Sequence, residues 1–183
     1  MERILILDIE TTGFLNQGGK IVEIGIVALD LSTGNTEILF DRMMHERPIT
    51  AEHCAKSWII NNSDMTVEEI RTSKQLEDYR HEIQGILNAH PAGCTAYSNK
   101  FDFGFLNNRG FAFPKKLPCP MLLAVDVCKI PNSRGFKWPS VQECWDHMFP
   151  NTGYKETHRG ADDAVHESAI VYELYKMGLF KLD

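Results

Sequence analysis

The chain has few cysteines and no arrangement of them that could staple a fold. Its five, Cys54, Cys94, Cys119, Cys128 and Cys144, are scattered, odd in number and include no CxxC pair. That pattern reads as reduced thiols of a cytosolic protein, not as a disulfide framework. His53-Cys54 has no second ligand pair nearby, which argues against zinc. Long apolar runs are missing too. The run 4–7 stops at Asp8, far short of a signal-peptide core. No stretch approaches the ~18 apolar residues that span a bilayer. A cytoplasmic location with no membrane partner is expected. Basic excess is also absent: the net charge is −6, which argues against a bulk nucleic-acid binder. An acidic chain can still hold nucleic acid locally where metal ions offset its carboxylates. Internal repeats, low-complexity tracts and linkers are absent.

What is present fits one ordinary domain, expected to cover residues 1–183. A chain of this length buries roughly 70% of the surface it exposes when unfolded, so its core needs no staples. Residues 4–7 are apolar on both faces and read as a central strand. Residues 21–29 and 37–43 read as further strands, with Thr33-Gly34-Asn35 as the turn between them. Thr66 is an N-cap candidate for a long helix reaching about Ala89, with Glu68 and Glu69 in its first turn. The pattern then predicts a short strand over 94–97, a short helix over 102–108 and a further strand over 121–128. Helices are expected over 139–148 and 160–177. Three strands followed by alternating strands and helices predict an α/β fold with a mixed sheet flanked by helices.

Three acidic segments carry the functional signal. In the first, Leu7-Asp8-Ile9-Glu10-Thr11-Thr12-Gly13-Phe14, strand alternation points Asp8 and Glu10 the same way, ~6–7 Å apart. Thr-Thr-Gly can then turn the backbone and present N–H groups to a ligand. Alone, the pair reads equally well as two surface acids at a strand end. In the second, Tyr97-Ser98-Asn99-Lys100-Phe101-Asp102, Asp102 lies at a strand-to-helix junction, where capping is the stronger reading for it alone. In the third, His158-Arg159-Gly160-Ala161-Asp162-Asp163-Ala164, the small residues let a helix approach the sheet. A lone histidine there is more often simply exposed. Glu23 and Asp126 sit in apolar stretches, where structural hydrogen bonds are expected, not catalysis.

Together the segments resemble the DEDDh exonucleases, the family of the epsilon proofreading subunit of bacterial DNA polymerase III, ribonuclease T and oligoribonuclease. The resemblance runs from about Ile4 to Tyr175. Asp8 and Glu10 match the first motif, Asp102 the second, and His158 with Asp163 the third. Phe136-Lys137-Trp138-Pro139-Ser140, with Gln142-Glu143, also resembles stretches of epsilon-like members. Gly160 stands where the family usually has Ala, and Ser98 where many members have His. Trp58-Ile59 lies where a His-Gly pair is common.

The resemblance implies an RNase H-like fold with a five-stranded mixed sheet and four converging carboxylates. Like charges ~4 Å apart repel by about 4 kcal/mol at an effective dielectric of 20. Two Mg²⁺, or Mn²⁺ in their place, would balance them, and hard oxygen ligands suit these ions. The resemblance implies that Asp8 bridges both ions, Glu10 and Asp163 serve the nucleophile-side ion, and Asp102 serves the other. His158 would be the general base. Thr12, Gly13, Phe14 and Asn99 would meet the substrate, although core packing suits Phe14 equally well. Lys100, Lys137 and Arg159 are candidates for phosphate contact. The expected reaction removes 5′-mononucleotides from 3′ ends, with DNA preferred over RNA. An RNA exonuclease is the nearest alternative, and an inert nucleic-acid-binding module a distant one. A monomer or homodimer is expected, and docking on a polymerase is not, because little chain follows the last helix.

Overall fold

β1 (Arg3–Thr11) forms the centre of the sheet because its first residues are apolar on both faces. The computed structural model describes residues 2–182. β1 pairs antiparallel with β2 (Ile21–Asp30), which pairs antiparallel with β3 (Thr36–Met43). A segment with three short helices follows: α1 (Ala51–Ala55), α2 (Trp58–Asn62) and α3 (Val67–Thr72). Then come α4 (Leu76–Ala89), β4 (Cys94–Thr95) and α5 (Asn99–Asn108). α6 (Pro120–Leu123), α7 (Val125–Cys128) and the small ribbon of β5 (Pro131–Asn132) and β6 (Gly135–Phe136) lead to α8 (Val141–Met148) and α9 (Gly160–Lys176). β4 joins β1 in parallel, so the main sheet has the order β3-β2-β1-β4.

The two faces of β1 build two cores. Leu5, Leu7 and Ile9 pack with Ile83 and Leu87 of α4 and with Phe103, Phe105 and Leu106 of α5. Ile4 and Ile6 pack with Ile170, Val171 and Leu174 of α9. Strand alternation therefore continues Ile4 and Ile6 into Asp8 and Glu10 on the α9 side. α9 comes close because of glycine. A Cβ on Gly25 of β2 would lie 2.1 Å from the Gly160 carbonyl carbon.

Several expectations need correction. Among the described residues the main sheet has four strands, not five. Residues 121–128 are the single-turn helices α6 and α7, launched by Pro120 at N1 and ended by Lys129 in the left-handed region at φ 48°. Asp126 is exposed there and holds no buried site together. The expected helix over 66–89 is broken in two. Thr66 does cap α3 through a reciprocal Thr66–Glu69 box. The chain then extends so that Gln75 can bridge to His45, with His45 N donating to Lys74 O and Leu76 N to His45 O. α5 begins at Asn99, which places Asp102 inside the helix rather than at its cap.

Candidate active site

Three elements aim acids at one cleft of about 190 Å³. β1 contributes Asp8 and Glu10 where the strand ends. α5 contributes Asp102, which is buried and accepts the Ile9 backbone N–H at 3.2 Å, tying the helix to β1. α9 contributes Asp163 from its first turn. Asp163 also organises the loop before it. Its Oδ1 accepts from Tyr154 Oη at 3.0 Å and from Thr157 N at 3.2 Å, and its Oδ2 accepts from Arg159 N at 3.1 Å. The two residues flanking His158 are thereby fixed to one carboxylate. His158 sits between them at φ 57°, in the left-handed region that favours glycine. Glu10, His158 and Asp163 each offer a ligand atom within 4.8 Å of the others.

Two further acids line the cleft, Glu156 and Glu167. Neither belongs to the three segments singled out above. Glu167 was signalled weakly, by its place one helical turn after Asp163 on the same face of α9. Glu156 had no signal beyond proximity to His158. The cleft therefore gathers six carboxylates and one imidazole, with no Lys or Arg among the residues that line it.

This crowding shows in the proton affinities. Burial pushes the Glu10 carboxyl up to about 9, helped by the charges of Asp163, Glu23, Asp102 and Glu156. Burial lifts Asp102 to about 7, against the lowering effect of its backbone hydrogen bonds. Burial, then the Asp163 charge, lifts Glu156 to about 7. Asp8 and Glu167 are raised well above the carboxylate range by burial first and by neighbouring carboxylates second. Asp8 Oδ2 is sealed from solvent and, among the described residues, has no hydrogen-bond partner. Such an atom is costly unless something absent from the protein meets it. Hard carboxylate oxygens, one orphaned and none offset by a cation, fit Mg²⁺ or Mn²⁺; no cysteine lines the cleft to favour zinc.

The expected substrate contacts divide. Gly13 and Thr12 edge a cavity of about 540 Å³ that also touches Thr50, His53 and Lys56. The Thr12 hydroxyl is taken by Lys20 N at 3.0 Å. Phe14 is 62% exposed and meets Phe101 edge-on at 6.3 Å, so it does not belong to the core. Asn99 is spent on the protein: Oδ1 accepts from Thr95 Oγ1 and Ala96 N, and Nδ2 donates to Leu117 O. It locks the β4–α5 turn instead of facing a ligand. Of the three candidate phosphate contacts, Arg159 is held by Glu23 and Asp64, and Lys137 by Glu143. Lys100 remains, exposed beside Phe14 and Phe101. Glu23 makes the expected structural bonds, accepting from Arg159 and from Gly160 N.

A family model described as exonuclease, of the RNase T type, matches residues 5–172. The chain belongs to this exonuclease family. Asp8, Glu10, Asp102, His158 and Asp163, from the three acidic segments, line one cleft. The exonuclease family is divalent-metal dependent, in keeping with the acid-rich cleft. No curated protein matches the chain by sequence. Solved structures match by fold. Cell-death related nuclease 4 (CRN-4) is 14% identical with a TM-score of 0.65, over 97% of this chain and 65% of that one. The nuclease domain of 3′hExo, a DEDDh family member bound to rAMP, is 15% identical with a TM-score of 0.61, over 98% and 96%. E. coli Exonuclease I in complex with a dT13 oligonucleotide is 12% identical with a TM-score of 0.67, over 95% and 41%. The exonuclease chain thus spans less than two thirds of the length of CRN-4 and of Exonuclease I. Among the described residues, no helix is long and apolar enough to cross a membrane.

Proposed function

We propose that this exonuclease removes nucleotides one at a time from the 3′ end of single-stranded DNA or 3′ overhangs, releasing 5′-mononucleotides. The observation that carries the reading is the cleft of six carboxylates and one imidazole without a cation, in which Asp8 Oδ2 is orphaned. Asp8, Glu10, Asp102 and Asp163 would hold two Mg²⁺, with Mn²⁺ able to substitute. When bound, such a pair supplies water activation and charge stabilisation on both sides of an in-line phosphoryl displacement.

The chain's own residues do the rest. His158, which lines the cleft beside Glu10 and Asp163, takes the proton of the attacking water. An imidazole nitrogen can accept a proton and return it, which suits that task. As the water oxygen bonds to phosphorus, the bond from phosphorus to the upstream O3′ breaks; the phosphate leaves with the terminal nucleoside, and the upstream O3′ takes a proton from solvent to become a hydroxyl. The open backbone at Gly13 accommodates the terminal sugar, and the exposed Phe14 ring packs on the base or sugar. Lys100, beside Phe14, meets a phosphate.

A second reading, an RNA substrate, is favoured by rAMP on the 3′hExo nuclease domain and by a 3′-exonuclease whose subject is a histone mRNA stem-loop. Discrimination rests on contacts to the 2′-hydroxyl. The test uses 5′-labelled DNA and RNA oligonucleotides of one sequence, with Mg²⁺ or with chelator. Stepwise shortening from the 3′ end of DNA, abolished by chelator, is expected. Faster shortening of the RNA transfers the proposal to RNA, and no shortening of either overturns it.

A further inference from the structure

The imidazole of His158 carries the proposed proton transfer, yet among the described residues no hydrogen bond reaches its ring. Glu156 Oε1 is 3.9 Å from Nδ1, beyond hydrogen-bond reach. The backbone is held tightly. Asp163 accepts from Thr157 N and Arg159 N, and Glu23 accepts from Gly160 N at 2.9 Å. Arg159 itself donates to Glu23 Oε1 at 2.7 Å and to Asp64 Oδ1 at 3.0 Å. A left-handed conformation at a histidine persists only where the surroundings over-determine it. Those bonds account for the backbone and leave the ring orientation open.

An aromatic side chain packs against the ring. Trp58 lies with its centroid 4.6 Å from that of His158, at an interplanar angle of 88°. Trp58 is 57% exposed, although its neighbour Ile59 is buried with Val22, Met65 and Ile70. α2 is thus anchored by Ile59 and presents the indole of the preceding residue, Trp58, to the His158 ring. The turn after α2 ends at Asp64, which binds Arg159, the residue following His158. One segment therefore touches two consecutive residues of the third motif.

We propose that the segment from Trp58 to Asp64 braces the general base, with Trp58 fixing the His158 ring and Asp64 steadying Arg159 beside it. This rests on the reading of His158 as the base. Trp58 is a positioning residue: it sets the direction of the ring and shields one side of it from water. An edge-on aromatic contact can do so because it has preferred geometry and needs no hydrogen bond. A small misplacement of a catalytic group is enough to cost rate.

Trp58 and Asp64 are both exposed, so their substitution leaves the core intact. Trp58→Ala is expected to lower kcat about tenfold, about 1.4 kcal/mol of barrier, with KM unchanged. Trp58→Phe should recover most of the loss, and Asp64→Ala should show a smaller fall in kcat. A rise in KM at constant kcat would overturn the brace and make Trp58 a stacking platform for the substrate. Unchanged kinetics would overturn it as well. A second readout needs no turnover and so separates this inference from the nuclease reading. In the nuclear magnetic resonance spectrum, the His158 ring should give one sharp carbon–proton signal with cross-relaxation to the Trp58 indole. Trp58→Ala should broaden or split that signal. A wild-type ring without contact to the indole contradicts the brace even if the enzyme is active.

Discussion

Glu10 and Glu23 stand opposite each other on neighbouring strands, and the protein treats them in opposite ways. Glu23 is 1% exposed, and its carboxylate takes donors from Arg159 and from Gly160 N. Glu10 faces Asp163, Asp102 and Glu156 with no cation among the residues lining its cleft, and its pKa rises to about 9. One acid is compensated inside the fold and serves structure. The other is left uncompensated where a ligand can reach it. A buried carboxylate becomes a functional candidate when its partners are more carboxylates, not merely because it is acidic.

Substitutions should separate the two regions. Asp8→Asn removes a carboxyl group from the uncompensated cluster. Turnover should fall about 10³-fold, the scale of losing a main electrostatic contact. The metal-free protein should melt no lower than wild type, because a carboxyl costly to bury among other carboxylates has gone. Glu23→Ala should do the reverse, lowering stability by about 3 kcal/mol, since it leaves Arg159 and Gly160 N without their partner. Calorimetric unfolding and Mg²⁺ titration read the two effects separately, and Mg²⁺ binding should survive the Glu23 change. His158→Ala should lower kcat about 10²-fold while the Mg²⁺-induced rise in melting temperature remains.

The pH dependence of stability sharpens the same contrast. The raised pKa of Glu10 means that the folded chain keeps a proton that the unfolded chain releases near its ordinary value of 4.5. The folded state then binds more protons, so in chelator stability should fall from about pH 4.5 until pH passes about 9. Mg²⁺ competes for the deprotonated form and should flatten that fall, which melting curves across this range will show. A metal-free stability that rises with pH would erase the difference between the two glutamates.

The sequence was most legible where local pattern and tertiary role agree. The apolar run before Asp8, the turn at Gly34 and the Thr66 cap all lie where their residues predicted. The run 121–128 did not, because a short apolar stretch fits a strand or a buried helical turn equally well; Pro120 and Lys129 decide it. The break at 73–75 depends on His45, some thirty residues earlier, and no local signal reports it. The motif acids were readable as a set. Glu156 and Glu167 were not, since only the folded loop and helix bring them to the cleft. Arg159 fits a phosphate contact by residue type alone, but Glu23 and Asp64 occupy its guanidinium.

The central claim is that the acids beside Glu10 form a cradle for a pair of divalent ions. Counting bound Mn²⁺ by electron paramagnetic resonance, with a 5′-mononucleotide present, tests it most directly. The account predicts two ions per chain in the wild type and loss of binding in Asp8→Asn. A wild-type protein that binds no manganese at millimolar concentration would contradict it.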